Sequence, residues 1–294
     1  MDDRPPRWTD PPDSAIGRVL TAASAEYPRR STPGPPILAV QGDLAALAEG
    51  VAIVGTRNCS PHGAHCAHRV AFAVARLDLP VISGLARGID SHAHRGALDA
   101  GGRTVAVLGH GLGCTAPPSN AVLRRRIVEN GGACVSTWPD DTSPGTWTFP
   151  ERNQWIAWLA REVVLIECPP RSGALITATH AAAHGRRIWV VPGPAFDPRW
   201  SGTRDVLELD DTMLLHDIDI FVETIGGEAQ PRRETWLDAV VAGVALPDVA
   251  QAHGRPVTEL FAQLALLEAE GAITRLPGGR WGAASPGSAR RTGR

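Results

Sequence analysis

A loop with two glycines and an arginine follows a short apolar run in segment 81–98, and such residues can bind anions. The run is typical of a buried parallel strand, and Asp90 is placed to cap a helix that begins at residue 91. Loop amides and a helix N-terminus both carry positive potential, so the segment predicts an anion-binding site. A tight turn that needs glycine only for its backbone is the alternative, but it leaves Arg87 unexplained. The candidate residues here are Ser83, Gly84, Arg87, Gly88 and His94.

Small or polar residues also follow most of the other apolar runs. Gly55-Thr56-Arg57 follows the run 51–54, and Arg171-Ser172-Gly173 comes shortly after the run 163–166. In open α/β sheets, ligands bind beyond the carboxyl ends of the strands. We therefore expect these loops to contribute to the same binding edge as segment 81–98.

Several motifs of nucleotide-dependent enzymes are absent from the sequence. The loop after residue 54 lacks the Gly-x-Gly-x-x-Gly fingerprint of dinucleotide-binding proteins. All 29 residues in the combined lysine and arginine count are arginine, so a P-loop lysine is missing. No nucleophile with a base and an orienting group is recognisable, and neither is a pair of catalytic carboxylates. We predict a binding protein that is not an enzyme and that uses no cofactor.

Net charge and cysteine content narrow the class of protein further. A net charge of −2 excludes a globally basic protein, so a nucleic-acid site would be a local patch. Five cysteines without a Cys-x-x-Cys pair favour a reduced, cytoplasmic protein, and no apolar run approaches the ~20 residues of a membrane span. Segment 59–68 holds five cysteine and histidine residues, but helical periodicity separates them onto different faces. We therefore predict neither a membrane protein nor a metal site.

Alternation of apolar runs and helical stretches predicts the fold class. The strand-like runs are 51–54, 80–83, 104–108, 133–136, 163–166 and 188–191. The helical stretches between most of them are 63–77, 91–100, 119–130, 151–161 and 174–184. This order is typical of an α/β protein with a doubly wound, Rossmann-like and mostly parallel sheet.

Composition divides the chain into a main domain and a small appendage. Residues 1–33 are proline-rich and are expected to be mostly disordered or extended, while 34–225 form the Rossmann-like domain. A linker at 226–233 leads to three short helices and a hairpin in 234–283, which suggests a winged helix. The tail 284–294 is expected to be disordered.

The ordered motifs of the chain resemble the DprA/Smf family of DNA-processing proteins. The resemblance runs from about residue 35 to 222, and the C-terminal part looks like the winged-helix domain of many members. The matching pieces are 51–57 (VAIVGTR), 83–90 (SGLARGID), 93–98 (AHRGAL), 106–112 (AVLGHGL), 149–153 (FPERN), 172–178 (SGALITA) and 190–193 (VVPG).

The resemblance implies an extended Rossmann fold that binds single-stranded DNA, forms a homodimer and helps load the RecA recombinase during natural transformation. A basic groove with aromatic stacking holds single strands. Arg57, Arg87, Arg152 and Arg171 are then candidate phosphate ligands. Phe149 is the candidate stacking residue, although a core position is an alternative for it, and Asn153 and Ser172 are candidate hydrogen-bond donors. The competing hypothesis is a nucleotide sensor or hydrolase of the wider group that includes the LOG phosphoribohydrolases.

Overall fold

The structure is a computed structural model that describes residues 8–9, 12–207, 212–226, 240, 243–252, 255–269, 273–276 and 281–283. The chain divides into two compact units, residues 1–231 and 232–294. This division falls inside the segment that the sequence marks as a linker. Among the described residues, no helix has the length and apolar character needed to cross a bilayer.

A sheet of nine strands forms the centre of the first unit in the part of the chain that is described. The strands lie in the order β1-β2-β6-β5-β4-β3-β7-β8-β9, and from β6 to β9 every neighbouring pair is parallel. The mostly parallel α/β prediction is confirmed. The strands are β1 (Arg18–Thr21), β2 (Ile37–Gly42), β3 (Gly50–Gly55), β4 (Val81–Ser83), β5 (Thr104–Val107), β6 (Ala133–Ser136), β7 (Ala160–Ile166), β8 (Arg187–Val190) and β9 (Thr212–Leu214).

Helices cover both faces of this sheet, because alternate residues of the central strands point to opposite faces. Val51 and Ile53 of β3 pack with helices at 61–76, 89–99 and 218–226 on one face. Ala52 and Val54 pack with helices at 148–159 and 173–183 on the other face. The helices of the first unit are α1 (Pro61–Arg76), α2 (Ile89–Asp99), α3 (Ala121–Glu129), α4 (Thr148–Leu159), α5 (Gly173–Ala183), α6 (Ser201–Val206) and α7 (Ile218–Gly226).

The described part of the N-terminal segment is more ordered than its composition predicts. Strand β1 pairs antiparallel with β2, and β2 pairs antiparallel with β6, so both extend the edge of the sheet. Tyr27 is buried, and the indole of Trp158 donates to the Thr32 carbonyl at 2.9 Å. Tertiary contacts therefore order a proline-rich stretch within 1–33 that shows little periodicity of its own.

The second unit contains α8 (Leu246–Ala252), α9 (Val257–Ala269) and a hairpin of β10 (Ile273–Arg275) with β11 (Trp281–Ala283). These elements agree with the helices that the sequence predicts at 246–253 and 257–270 and with a hairpin of strands predicted at 273–276 and 280–282. The first predicted helix of this unit and the tail 284–294 lie almost entirely outside the described residues. The winged-helix assignment itself stays a prediction.

Candidate nucleic-acid interface

A cavity of about 750 Å³ lies at the carboxyl ends of β3 and β7. Four stretches line it: the loop after β3, the start of α2 with the loop before it, segment 144–156 at the start of α4, and segment 169–177. These stretches are far apart in sequence. The sheet brings them together because it aligns the carboxyl ends of its parallel strands.

Most of the binding residues that the sequence predicts line this cavity. Arg57, Arg152 and Arg171 all lie in its wall, and the roles of Arg57 and Arg171 in binding stay predictions. The predicted residues in the cavity wall are Gly55, Thr56, Arg57, Phe149, Arg152, Asn153, Arg171, Ser172 and Gly173.

Arg57 and Phe149 form a cation–π pair in the wall. Arg57 is exposed, and its guanidinium carbon lies 4.9 Å from the centroid of the half-buried Phe149 ring. The ring also packs on Gly109, where a Cβ would come within 2.7 Å of a ring carbon. A base could stack on the covered face of Phe149 only if Arg57 moved. The exposed guanidinium can itself stack on a base or pair with a phosphate.

Arg152 lines the cavity but is used mainly within the protein, which corrects its simple assignment as a phosphate ligand. The side chain is buried, and its Nη1 donates to the carbonyls of Gly84 and Val107, which follow or end β4 and β5. Its Nε donates to Asn153 Oδ1 at 3.1 Å. Burial lowers the pKa of Arg152 to about 10, while nearby Asp90 opposes that shift. The guanidinium therefore ties neighbouring strand ends together.

Asp90 braces the loop before α2 and does not cap the helix. Helix α2 begins at Ile89 with Gly88 at the N-cap position, so Asp90 lies in the first turn. Its carboxylate accepts from the amides of Gly84 at 3.1 Å and Ala86 at 3.3 Å. Burial raises the pKa of Asp90, and the positive charge of Arg152 acts in the opposite direction.

The start of α5 is open to the cavity. Ser172 caps the helix by accepting from the Ala174 amide at 3.3 Å, and Asn153 Nδ2 donates to the Gly173 carbonyl at 2.9 Å. Both side chains thus hold the loop in place. Gly173 itself is exposed, and a Cβ there would meet no atom within 4 Å. An anion can therefore approach the positive end of α5.

Arg171 precedes this helix in a left-handed backbone conformation. Its φ of 61° is unusual for a residue with a side chain and costs about 1–3 kcal/mol. A turn in which the Ser172 amide donates to the Pro169 carbonyl at 3.1 Å holds the conformation. The exposed arginine side chain stands immediately before the open helix terminus.

The candidate residues of segment 81–98 lie outside the cavity wall, which corrects their expected place at the binding edge, although Ala86 and Asp90 of the same segment line it. Ser83 is buried and donates to the Ile53 carbonyl at 2.7 Å. The residues outside the wall are Ser83, Gly84, Arg87, Gly88 and His94.

These residues mostly support the loops of the site from positions outside the cavity wall. At Gly88, φ is 75° and a Cβ would lie 2.3 Å from the Thr56 carbonyl oxygen. Glycine is therefore required there by the backbone, as the alternative of a tight turn predicts. Arg87 is exposed beyond the wall. His94 is fully buried with its Nδ1 2.7 Å from Thr104 Oγ1, and burial lowers its pKa to about 3.

Glu167 is a residue of this edge that sequence reasoning does not identify as functional. Its fully buried carboxylate accepts from the Ser60 amide at 2.8 Å and from the Ser60 hydroxyl at 2.8 Å. Ser60 is the N-cap of α1, and a Cβ at Gly63 would lie 1.9 Å from the carboxylate. The N-terminus of α1 therefore already holds an anion. A glutamate directly after an apolar strand was the available signal.

Charge in the cavity wall favours a polyanion. Three arginines line it, and Asp90, the acidic residue among its lining residues, is buried and bound by loop amides. Within the described residues, no group of three or more histidine, cysteine, aspartate or glutamate side chains could hold a metal ion. Cationic side chains, a free helix N-terminus and a guanidinium on an aromatic ring together can bind phosphates and bases.

Known proteins of related sequence are named Smf or DNA processing protein DprA. A family model described as DNA recombination-mediator protein A matches residues 18–226. Protein Smf of Escherichia coli is 32% identical over 295 residues, covering 92% of this chain and 78% of that protein. DNA processing protein DprA of Bacillus subtilis is 33% identical over 210 residues, covering 70% of each.

Solved structures of similar architecture include DprA proteins of other bacteria. The X-ray structure of DprA from Streptococcus pneumoniae is 31% identical with a TM-score of 0.64, covering 74% of this chain and 75% of that one. DprA from Helicobacter pylori, whose structure addresses its single-stranded DNA binding mode, shares the fold with a TM-score of 0.64 at 24% identity, covering 72% and 97%. With the family match spanning most of its length, this chain belongs to the DprA/Smf family of DNA-processing proteins.

Proposed function

We propose that the chain binds single-stranded DNA in the cavity at the carboxyl ends of β3 and β7. The observation that carries the proposal is the convergence of Arg57 and Arg171 beside the open N-terminus of α5. Two exposed guanidinium groups and the accessible positive end of α5 suit consecutive phosphates of one strand. The Helicobacter pylori relative, whose structure concerns its single-stranded DNA binding, supports this assignment by analogy.

A role in handing DNA to a RecA-type recombinase is part of the proposal. The family description as a recombination mediator supports it, and so does the resemblance of the motifs. Because a recombinase acts on DNA inside the cell, the proposal includes a cytoplasmic location, and the five free cysteines are compatible with it. The protein acts by binding and not as an enzyme.

Self-association completes the proposal. Strand β9 is the edge of the sheet among the described residues, and Met213 and Leu214 on it are exposed by 38% and 43%. Ile220 on α7 is exposed by 50%. An unpaired edge with apolar side chains offers a surface for a second copy of this chain.

The competing nucleotide-sensor hypothesis has less support. In Rossmann folds that bind dinucleotides, the pyrophosphate binds at the N-terminus of the helix in the first βα unit, which here is α1 after β3. Here the N-terminus of α1 is occupied by the carboxylate of Glu167. A free phosphate would have to displace a buried charge from that position.

Fluorescence anisotropy with labelled single-stranded and duplex oligonucleotides across a salt series tests the proposal. We expect preference for the single strand and a log–log slope near −0.7 for each phosphate contacted. Arg57→Ala and Arg171→Ala should each make the slope shallower by roughly 0.7. Arg125→Ala is the matched control, because that arginine is exposed on α3 and pairs with Glu129.

Two outcomes would contradict the proposal. One is equal affinity for single-stranded and duplex DNA with slopes that the arginine substitutions do not change. The other is absence of DNA binding together with tight binding of a mononucleotide, which would favour the sensor hypothesis.

A further inference from the structure

Phe196 is exposed to an extent unusual for a phenylalanine. Its relative exposure is 99%, whereas the next most exposed large apolar side chain among the described residues, Val122, reaches 58%. Single exposed apolar side chains are common on protein surfaces, so exposure alone assigns no role. The support and position of the ring are what make it informative.

The ring stands on a braced turn. The Asp197 amide donates to the Pro194 carbonyl at 3.2 Å and closes the turn 194–197. Arg204 Nη1 reaches the same Pro194 carbonyl at 3.3 Å and the Asp197 carbonyl at 3.5 Å. A turn held at both ends presents the ring with little backbone freedom left to lose on binding.

The turn lies beside the cavity wall. It follows the carboxyl end of β8, which pairs in parallel with β7, and adjacent strands are about 4.8 Å apart. The Gly202 amide in α6 donates to the Cys168 carbonyl at 2.9 Å, next to the cavity-lining segment 169–177. Arg199 Nη1 also lies 3.9 Å from Glu167 Oε1. The exposed ring therefore belongs to the same edge of the sheet as the proposed DNA site.

Local charge permits a nucleic acid to pass the turn. Arg199 donates through Nε to both carboxylate oxygens of Asp197 at 3.0 Å, so the acid beside the ring is paired. Arg199 remains 54% exposed at its side chain. A base has a π face irrespective of its sequence, and stacking on an aromatic ring is sequence-tolerant.

We infer that Phe196 is a stacking platform for a base of single-stranded DNA that leaves the cavity over the end of β8. The inference rests on the proposed function and extends it by a second subsite outside the cavity. Strands long enough to pass from the cavity to the turn contact Phe196, whereas strands that fill only the cavity do not.

Binding of a length series of deoxythymidine oligonucleotides to the full chain tests this subsite. Phe196→Leu keeps an apolar side chain but removes the ring, and it should weaken binding of long strands by roughly 5- to 100-fold. Binding of the shortest strands that still bind should not change. Phe196→Trp should restore long-strand affinity, and Val122→Ala on α3 is the control for loss of an exposed apolar side chain.

Photocrosslinking with 5-bromodeoxyuridine at successive positions of a long strand gives an independent readout. We expect one position to crosslink to the peptide that contains Phe196, with the crosslink lost in Phe196→Leu. If the wild type binds long strands, but Phe196→Leu binds them equally well and no such crosslink forms, the inference is overturned while the proposed function stands. Unchanged DNA binding with weaker self-association would also overturn it, by making the ring a protein contact. Absence of single-strand binding by the wild type defeats the proposed function itself.

Discussion

The N-termini of α1 and α5 make an instructive comparison, because both helices begin at the carboxyl ends of neighbouring strands. Each is capped by a serine, Ser60 in α1 and Ser172 in α5. At α1, the buried carboxylate of Glu167 occupies the positive end of the helix. At α5, Gly173 leaves that end open to the cavity. One terminus is covered inside the protein, and the other is open to the cavity.

The comparison extends to the arginines of the same edge. Arg152 is buried and donates to carbonyls of the protein, whereas Arg57 and Arg171 are exposed. We call Glu167 and Arg152, which bind groups inside the protein, the closed side, and we expect them to affect mainly folding stability. We call Arg57, Arg171 and the α5 terminus the open side, and we expect them to affect mainly DNA affinity.

The largest effect is expected on the closed side, for Glu167→Ala. Removing this carboxylate leaves the amide and hydroxyl of Ser60 without their acceptor in a buried position. We expect the free energy of unfolding to fall by about 2–4 kcal/mol, with little change in affinity for single-stranded DNA. Urea unfolding, with the m-value checked for two-state behaviour, measures the loss.

Glu129→Ala is the control for this substitution. Glu129 is exposed and pairs with Arg125 at 3.7 Å, so its loss should change the free energy of unfolding by less than about 0.5 kcal/mol. A Glu167→Ala protein as stable as the wild type would show that the carboxylate does not close the α1 terminus.

A smaller effect is expected on the open side for Gly173→Asp, which should lower DNA affinity without lowering the free energy of unfolding. The new carboxylate lies in the first turn of α5, where negative charge stabilises a helix by about 0.3–1 kcal/mol. Unfolding stability should therefore stay constant or rise, since a side chain there meets no neighbour. The same charge faces DNA phosphates and should weaken single-strand binding by about 5-fold.

Gly173→Ala separates charge from bulk at this position. It should bind single-stranded DNA nearly as well as the wild type, because the cavity side of the residue is open. Equal affinity of the aspartate and alanine variants would mean that no phosphate approaches the α5 terminus.

Sequence patterns predict much of the fold because the central strands are continuous apolar runs between amphipathic helices. Strand β6 begins and ends where the sequence predicts, β5 differs by one residue at one end, and β3 and β8 differ by one residue at each end. Strands β1, β2 and β9 escape prediction, since they lie toward the two edges of the sheet and are defined by their pairing with neighbouring strands. Local pattern carries no information about such pairing.

The candidate site is predictable in position but not in detail. Sequence places Arg57 after a strand and Arg152 at the start of a helix, and it makes both candidate phosphate ligands. The fold, however, puts carbonyls from two strand ends around Arg152 alone. The sequence likewise predicts that His94 lies on a helix beside the glycine loop, but it does not predict which face of that helix His94 occupies. The structure buries that face against Thr104. Such choices depend on which atoms meet across the sheet.

Hydrogen–deuterium exchange with and without a long single-stranded oligonucleotide tests the central claim most directly, because it reports on both helix termini in one experiment. We expect DNA to slow exchange in peptides covering residues 171–177 and 55–57. Peptides covering residues 60–66 at the start of α1 should exchange at the same rate in both conditions. Protection at 60–66, or bound DNA with no protection at 171–177, would contradict the claim.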